Sequence, residues 1–375
     1  MKLTNKFCPK PFEYLDIHYV DGQFRSYVCC PTWLGVDLGS LEHHSFQEVW
    51  NGPKAQEVRR SILNESFLYC SRELCPEIQS DTLHDKRYIF REDYQSYLKH
   101  EDGIVPHGPR TLYFSEDRSC NLSCPSCRTD YININKESVE HILKVRNGHM
   151  NELMKDLESL NICSSGDPFS SKIYRPFLFE LEGQRYPSLK INLNTNGVLL
   201  TPDIFHRMEK IHQNLGSIVI SLDAARKETY DIVRRGGDWS KLLKNIEYLA
   251  QKRREGKFSH LQLDFVVQDN NYREMPEFVK LGKSLKVDKV YFQRISNWGT
   301  FSKTDFLDKD IINLKHPLHQ NFLSIASHPL MSDSIIKRGN LSRFMPLSLQ
   351  EKVTQLIKKI PGVRYLRKQI IQVSS

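Results

Sequence analysis

Cys120, Cys124 and Cys127 fall within eight residues of a 375-residue chain, in the segment TLYFSEDRSCNLSCPSCR that ends at Arg128. The spacing is C-x3-C-x2-C, directly after a predicted strand. Three close thiolates can ligate three irons of a cubic cluster, because cluster iron normally takes one cysteine per iron. The fourth iron is then left open, and an open metal position can bind a substrate or cofactor. Zinc would want a fourth protein ligand. No cysteine or histidine lies between Cys127 and His141, and His141 falls on a predicted helix. The triplet alone leaves both metals open.

The other cysteines lie mostly upstream. Of nine in the chain, Cys8, Cys29, Cys30, Cys70 and Cys75 form a first group, and Cys163 stands alone. The N-terminal segment MKLTNKFCPKPFEYL has neither the apolar stretch nor the small-residue cleavage site of a signal peptide. A cytoplasmic, reducing setting is therefore expected, in which clustered cysteines read as metal ligands or catalysts rather than disulfides. Four positions from three separated segments can close a tetrahedral site, for zinc or for iron. Cys29 and Cys30 point to opposite faces if the strand continues through them, so one of the two is expected to be a ligand. Cys163 ends a predicted strand, where a free cysteine is ordinarily a small buried residue.

The elements that must position these groups follow from patterning. Hydrophobic residues make up 39% of the chain and aromatics 10%, ordinary for a chain that buries a core. No apolar run approaches the roughly 18–20 residues of a membrane span. Segments 14–19 and 23–28 alternate around Asp21-Gly22, a hairpin turn signal. A helix is expected over 45–64, with Phe46, Val49, Trp50, Val58 and Ile62 at helical spacing. Residues 100–109 carry turn residues and mark a boundary. Beyond it, strands at 111–115, 160–164, 189–194, 217–222, 261–267 and 289–295 alternate with helices that include 138–157, 202–213, 239–254 and 275–285. Such alternation implies βαβ units with a parallel sheet, open or curled, and reactive groups at the carboxyl ends of its strands. After Phe301 the pattern turns irregular and then helical, with amphipathic basic stretches at 347–360 and 362–371. The net charge of +8 is weighted toward this tail, in Lys358, Lys359, Arg364, Arg367 and Lys368. No basic ladder interleaved with aromatics argues for nucleic acid, and none is expected as a partner.

The cysteine triplet at the end of the first strand, together with the loops that follow, resembles the signature of the radical S-adenosylmethionine superfamily over about residues 109–298. Ser165-Gly166-Asp167-Pro168 is similar to the family's Gly-Gly-Glu-Pro loop, with Ser for the first Gly and Asp for Glu. Asn194-Thr195-Asn196-Gly197 is similar to its loop near the ribose. Ser221-Leu222-Asp223 resembles its Ser-x-Asp strand end, and Arg235 matches an arginine that approaches the cofactor carboxylate. The resemblance implies a 4Fe–4S cluster on Cys120, Cys124 and Cys127, S-adenosylmethionine at the open iron, and a partial (β/α)6 barrel. It further implies reductive cleavage to methionine and a 5′-deoxyadenosyl radical that removes hydrogen from a substrate. Cofactor contacts are then expected at Ser165, Gly166, Asp167, Pro168, Asn194, Asn196, Ser221, Asp223 and Arg235, and substrate near Gln268, Gln293 and Arg294.

The N-terminal segment resembles the SPASM and twitch auxiliary-cluster modules. The matching features are Cys8-Pro9, Asp21-Gly22, Cys29-Cys30-Pro31, Gly35, Gly39, Glu48-Val49-Trp50-Asn51, Cys70 and Cys75. Those modules normally follow the radical domain, and here the segment precedes it. The resemblance implies a second 4Fe–4S cluster that transfers electrons, a flavodoxin or ferredoxin as electron donor, and a peptide or small polar metabolite as substrate. The expected layout is a small cysteine-rich α+β module at 1–105, a radical core at 106–300 and a helical extension at 301–375. A zinc-stabilised binding protein on the same scaffold is the competing reading.

Overall fold

In a computed structural model the fold is α/β, and residues 3–162, 165–347, 349 and 352 are described. Cys163, most of the predicted tail helix at 347–360 and all of that at 362–371 lie outside the described residues. The strands are β1 Lys6–Phe7, β2 Tyr14–Val20, β3 Gln23–Tyr27, β4 His84–Asp85, β5 Thr111–Ser115, β6 Ser159–Ile162, β7 Lys190–Thr195, β8 Leu215–Ser221, β9 His260–Val267, β10 Lys289–Arg294 and β11 Ile336–Lys337. From β5 to β10 they alternate with helices, as the patterning predicts. No helix among the described residues is long and apolar enough to cross a membrane.

The chain divides into two compact units, and the division interrupts both the cysteine loop and β8. The first unit holds Met1–Asn121, Tyr131–Val219 and Lys252–Ser259, and the second holds Leu122–Asp130, Ile220–Gln251 and His260–Ser375.

In the first unit the strand order is β3-β2-β5-β6-β7-β8. β5, β6 and β7 pair in parallel, and Leu112, Phe114, Leu160, Ile162, Ile191 and Leu193 are almost wholly removed from solvent. The N-terminal hairpin extends this sheet: β2 pairs in parallel with β5, setting Tyr14 opposite Thr111 and His18 opposite Ser115. Its turn has positive φ at both Asp21 and Gly22, which suits the right-handed twist of the flanking strands. The cysteine-rich segment is thus built onto the edge of the core sheet by backbone hydrogen bonds.

The helix expected over 45–64 is two helices, Phe46–Trp50 and Pro53–Leu63. Ser45 and Glu48 form a capping box on the first. Pro53 opens the second, where its missing N–H costs nothing. A Cβ on Gly52 would stand 2.1 Å from the Glu48 carbonyl oxygen, so only glycine makes this corner. Arg59, fully buried, locks it by donating to the carbonyls of Pro11, Trp50 and Gly103 and to Asn51 Oδ1. Burial pulls its pKa down to about 9, while the Trp50 ring lies 4.5 Å from the guanidinium. The helix expected over 138–157 likewise breaks at His149 into Lys136–Gly148 and Met150–Met154, and that at 202–213 ends at His206 before a 3-10 turn.

In the second unit β9, β10 and β11 pair in parallel. β9 is buried over most of its length, as a strand covered on both faces must be. Phe265 packs on Phe278 and Phe292 with ring centroids 4.8 and 5.4 Å apart.

Arg59→Met would leave three buried carbonyls without their donor. It is expected to lower unfolding stability by about 3 kcal/mol, seen as a lower urea midpoint. An unchanged midpoint would show that the corner does not depend on this residue.

Candidate functional site

The carboxyl ends of the first unit's strands are tied together by one buried acid. Asp167 follows β6, is fully buried, and accepts from Thr195 Oγ1 at 2.7 Å, from the Asn196 N–H at 2.8 Å and from the Phe169 N–H at 3.0 Å. Burial raises its pKa, opposed by the Thr195 hydroxyl and the backbone donors. Asp167 is expected at the cofactor, and its carboxylate joins the loop after β6 to the loop after β7. The Asp167 N–H in turn donates to the Ser119 carbonyl at 2.8 Å. Gly166 makes that approach feasible, since a Cβ there would lie 2.6 Å from the Ser119 oxygen and 2.9 Å from that of Asp117.

Cys120 is anchored on this frame. Its N–H donates to the Ile132 carbonyl at 2.9 Å, and Asn196 Nδ2 reaches its sulfur at 3.8 Å and Asn121 Oδ1 at 2.9 Å. Asn196, expected near a ribose, therefore also touches a cysteine sulfur. Ser165 is half-buried, Pro168 is buried and Asn194 is exposed. His141 is held by Tyr19 at 3.2 Å and Glu42 at 2.8 Å.

In the second unit the loop Leu122–Asp130 carries Cys124 and Cys127. A turn fixes both, with the Cys127 and Arg128 N–H groups donating to the Cys124 carbonyl at 2.9 and 3.0 Å. Arg235, expected at the cofactor carboxylate, braces this loop: its side chain donates to Ser123 Oγ at 3.0 Å and to the Thr129 carbonyl at 2.7 Å. Its neighbour Arg234 is a residue that sequence reasoning missed. Arg234 Nη2 pairs with Asp223 Oδ2 at 2.7 Å, and Nη1 reaches the Cys124 sulfur at 3.8 Å. Burial raises the Cys124 and Asp223 pKa values while Arg234 opposes both shifts. Arg234 is held charged: burial acts against the cation, and Asp223 and Cys124 more than offset it.

Asp223 sits at the end of β8 with φ +60, a left-handed conformation unusual for a residue with a side chain. The Val266 N–H donates to its Oδ1 at 2.8 Å, and Asn271 Nδ2 donates to its carbonyl at 2.9 Å. Ser221 is half-buried. Of the residues expected near substrate, Arg294 is taken up in a two-pronged pair with Asp310. Gln268 is buried with Nε2 lacking a protein partner, and Gln293 is half-buried.

The expectation that one of Cys29 and Cys30 joins Cys8, Cys70 and Cys75 divides the upstream cysteines into four and one. Cys8 lies within electrostatic reach of Cys70 and Cys75, Cys29 of Cys8, Cys30 and Cys75, and Cys70 of Cys29 and Cys75. Burial pushes the thiols of Cys8, Cys29 and Cys70 up to about 12. Cys30 lines a cavity of about 330 Å³ together with Lys10, Tyr14, Trp33 and Tyr113. Among the described residues no three His, Cys, Asp or Glu side chains close on a single-ion position. A cubane spreads its thiolates over separate irons. Four cysteines gathered in this way, and a triplet whose sulfurs each receive an N–H, are donor sets that fit iron–sulfur clusters.

Residues 118–281 match the family model of the radical SAM superfamily, and residues 8–76 match that of the SPASM iron–sulfur cluster-binding domain. The chain thus contains a radical S-adenosylmethionine domain preceded by a SPASM domain. The first kind of domain carries a 4Fe–4S cluster and S-adenosylmethionine, and the second carries further iron–sulfur centres. An AdoMet-dependent heme synthase from Methanosarcina barkeri is 28% identical over 191 residues, covering 48% of this chain and 49% of that protein. The chain therefore aligns with about half the length of this curated relative. Among solved structures, SuiB of Streptococcus suis has a TM-score of 0.40 at 16% identity, covering 72% of this chain and 58% of that one. TYW1 with a lysine–pyruvate adduct has a TM-score of 0.38 at 18% identity, covering 58% and 72%.

Two outcomes follow. Gly166→Ala is expected to weaken S-adenosylmethionine binding about tenfold or more and to lower the melting temperature; unaltered binding by equilibrium dialysis would show that the close approach is dispensable. Cys29→Ser is expected to lower bound iron by about half, whereas Cys30→Ser keeps all of it. Equal losses in the two variants would refute the four-and-one division.

Proposed function

We propose that this chain is a radical enzyme in which Cys120, Cys124 and Cys127 hold the reactive cluster. The observation that carries this is the donor arrangement on a C-x3-C-x2-C loop, with one N–H directed at each of the three sulfurs. When bound, the cluster and S-adenosylmethionine supply one-electron reductive cleavage to methionine and a 5′-deoxyadenosyl radical, the group that abstracts hydrogen from substrate. The protein's part is orientation and exclusion. The backbone of the loop at 165–168 would receive the methionine amino group, with Asp167 acting as its brace. Asn194 and Asn196 would hold the ribose, Ser221 and Asp223 the nucleoside and methionine tail, and Arg235 the carboxylate.

The substrate we infer is a peptide or small polar metabolite. Arg294 is already neutralised by Asp310, and the remaining groups at the ends of β9 and β10, Gln268 and Gln293, are uncharged hydrogen-bonding amides. That combination favours a substrate recognised through amide or hydroxyl groups. Cys8, Cys29, Cys70 and Cys75 are assigned to an auxiliary 4Fe–4S cluster. Four thiolates fill its four irons, which favours electron transfer over substrate ligation. The division of labour is an auxiliary module at 1–105, a radical core at 106–300 and an extension at 301–375. A small electron-transfer protein of the flavodoxin or ferredoxin class supplies the reducing electron.

In anaerobically reconstituted protein with dithionite, Cys124→Ala is expected to abolish 5′-deoxyadenosine formation and to remove about half of the iron. Undiminished cleavage by this variant would overturn the assignment.

A further inference from the structure

The three core cysteine sulfurs do not receive equivalent donors. Cys120 is met by the neutral amide of Asn196 at 3.8 Å. Cys124 is met by Arg234, also at 3.8 Å, but that guanidinium is shared with Asp223 at 2.7 Å. Cys127 is met by Arg128, whose Nη2 lies 3.3 Å from the sulfur, the shortest contact of the three. Arg128 is only 6% exposed. Water therefore screens its charge far less than it would at the surface. Its backbone is fixed as well, since its N–H donates to the Cys124 carbonyl at 3.0 Å within the turn that carries both cysteines. The sequence offers Arg128 only as the residue after the motif, with no sign that its side chain folds back.

We propose that Arg128 is a positioning residue that sets the reduction potential of the core cluster through Cys127. The inference rests on the reading that Cys120, Cys124 and Cys127 hold that cluster. Reduction adds one electron, delivered by the donor protein or by dithionite in vitro, to a centre that already carries thiolate charge. A buried cationic donor on a ligand sulfur stabilises the reduced, more negative centre more than the oxidised one. Hydrogen bonding to the sulfurs is one of the terms that set such potentials. Arg128 thus raises the potential and brings the cluster within reach of a weaker reductant. The neutral Asn196 contact orients Cys120 without supplying this term.

The test is a redox titration of the full-length reconstituted protein, followed by electron paramagnetic resonance without S-adenosylmethionine. Arg128→Gln, which keeps an N–H donor and removes the charge, is expected to move the core midpoint to a more negative potential. Arg128→Lys is expected to recover part of the shift, and the auxiliary centre should titrate as in the wild type. A full iron complement with an unmoved midpoint in Arg128→Gln would overturn the proposal. So would a Lys variant shifted as far as the Gln variant, since charge would then not be the cause. If Arg128→Gln fails to take up iron, Arg128→Lys decides against wild type: a midpoint moved to a modestly more negative potential supports the proposal, and an unmoved midpoint overturns it. A core signal that survives intact in Cys127→Ala would remove the underlying ligand assignment instead.

Discussion

The first unit is organised around the buried carboxylate of Asp167. A carboxylate withdrawn from water must find donors, and this one finds them in Thr195, Asn196 and Phe169. Satisfying it fixes the loop after β6 against the loop after β7. The same segment binds the Ser119 carbonyl one residue before Cys120. Gly166 supplies the missing volume. The position of Cys120 and the donor that Asn196 presents to it are consequences of one acid that never faces solvent.

The second unit repeats this logic with a charged pair. Asp223 adopts a left-handed backbone that its neighbours over-determine, and its carboxylate holds Arg234 while Arg234 reaches Cys124. The helix Lys227–Val233 that delivers both arginines is seated by Glu274, which accepts from the Ala225 and Arg226 N–H groups and from Thr229. A buried ion pair of this kind adds little net stability, but removing one partner is costly. Its value is in geometry, because it leaves the guanidinium with one direction to point.

The N-terminal segment is joined to the core sheet rather than tethered beside it. Five residues of β2 run in register with β5, and Asp16 accepts from Ser115 Oγ at 2.7 Å and from Tyr14 at 3.0 Å. The same segment brings Cys8 and Cys29 together with Cys70 and Cys75. An inverted domain order is thereby accommodated by adding strands to an edge, since a parallel ladder asks only for matching backbone and register.

Much of this was legible in the sequence. The hairpin at Asp21-Gly22, the alternation of strands and helices after residue 110, the helix Trp239–Arg254 and the two cysteine groups all follow from periodicity, turn chemistry and spacing, which are local properties. What local patterning missed depended on partners far along the chain. The helix break at Gly52 is set by packing on Glu48 and by Arg59 reaching Gly103. The choice between Cys29 and Cys30 depends on where Cys8, Cys70 and Cys75 arrive. The division of tasks between Arg234 and Arg235 depends on Asp223 and Ser123. By itself the sequence determined which atoms could bind iron and in what order along the chain. Only the tertiary structure decided which charge each sulfur meets, because hydrogen bonds to a sulfur are made by side chains that spacing does not locate.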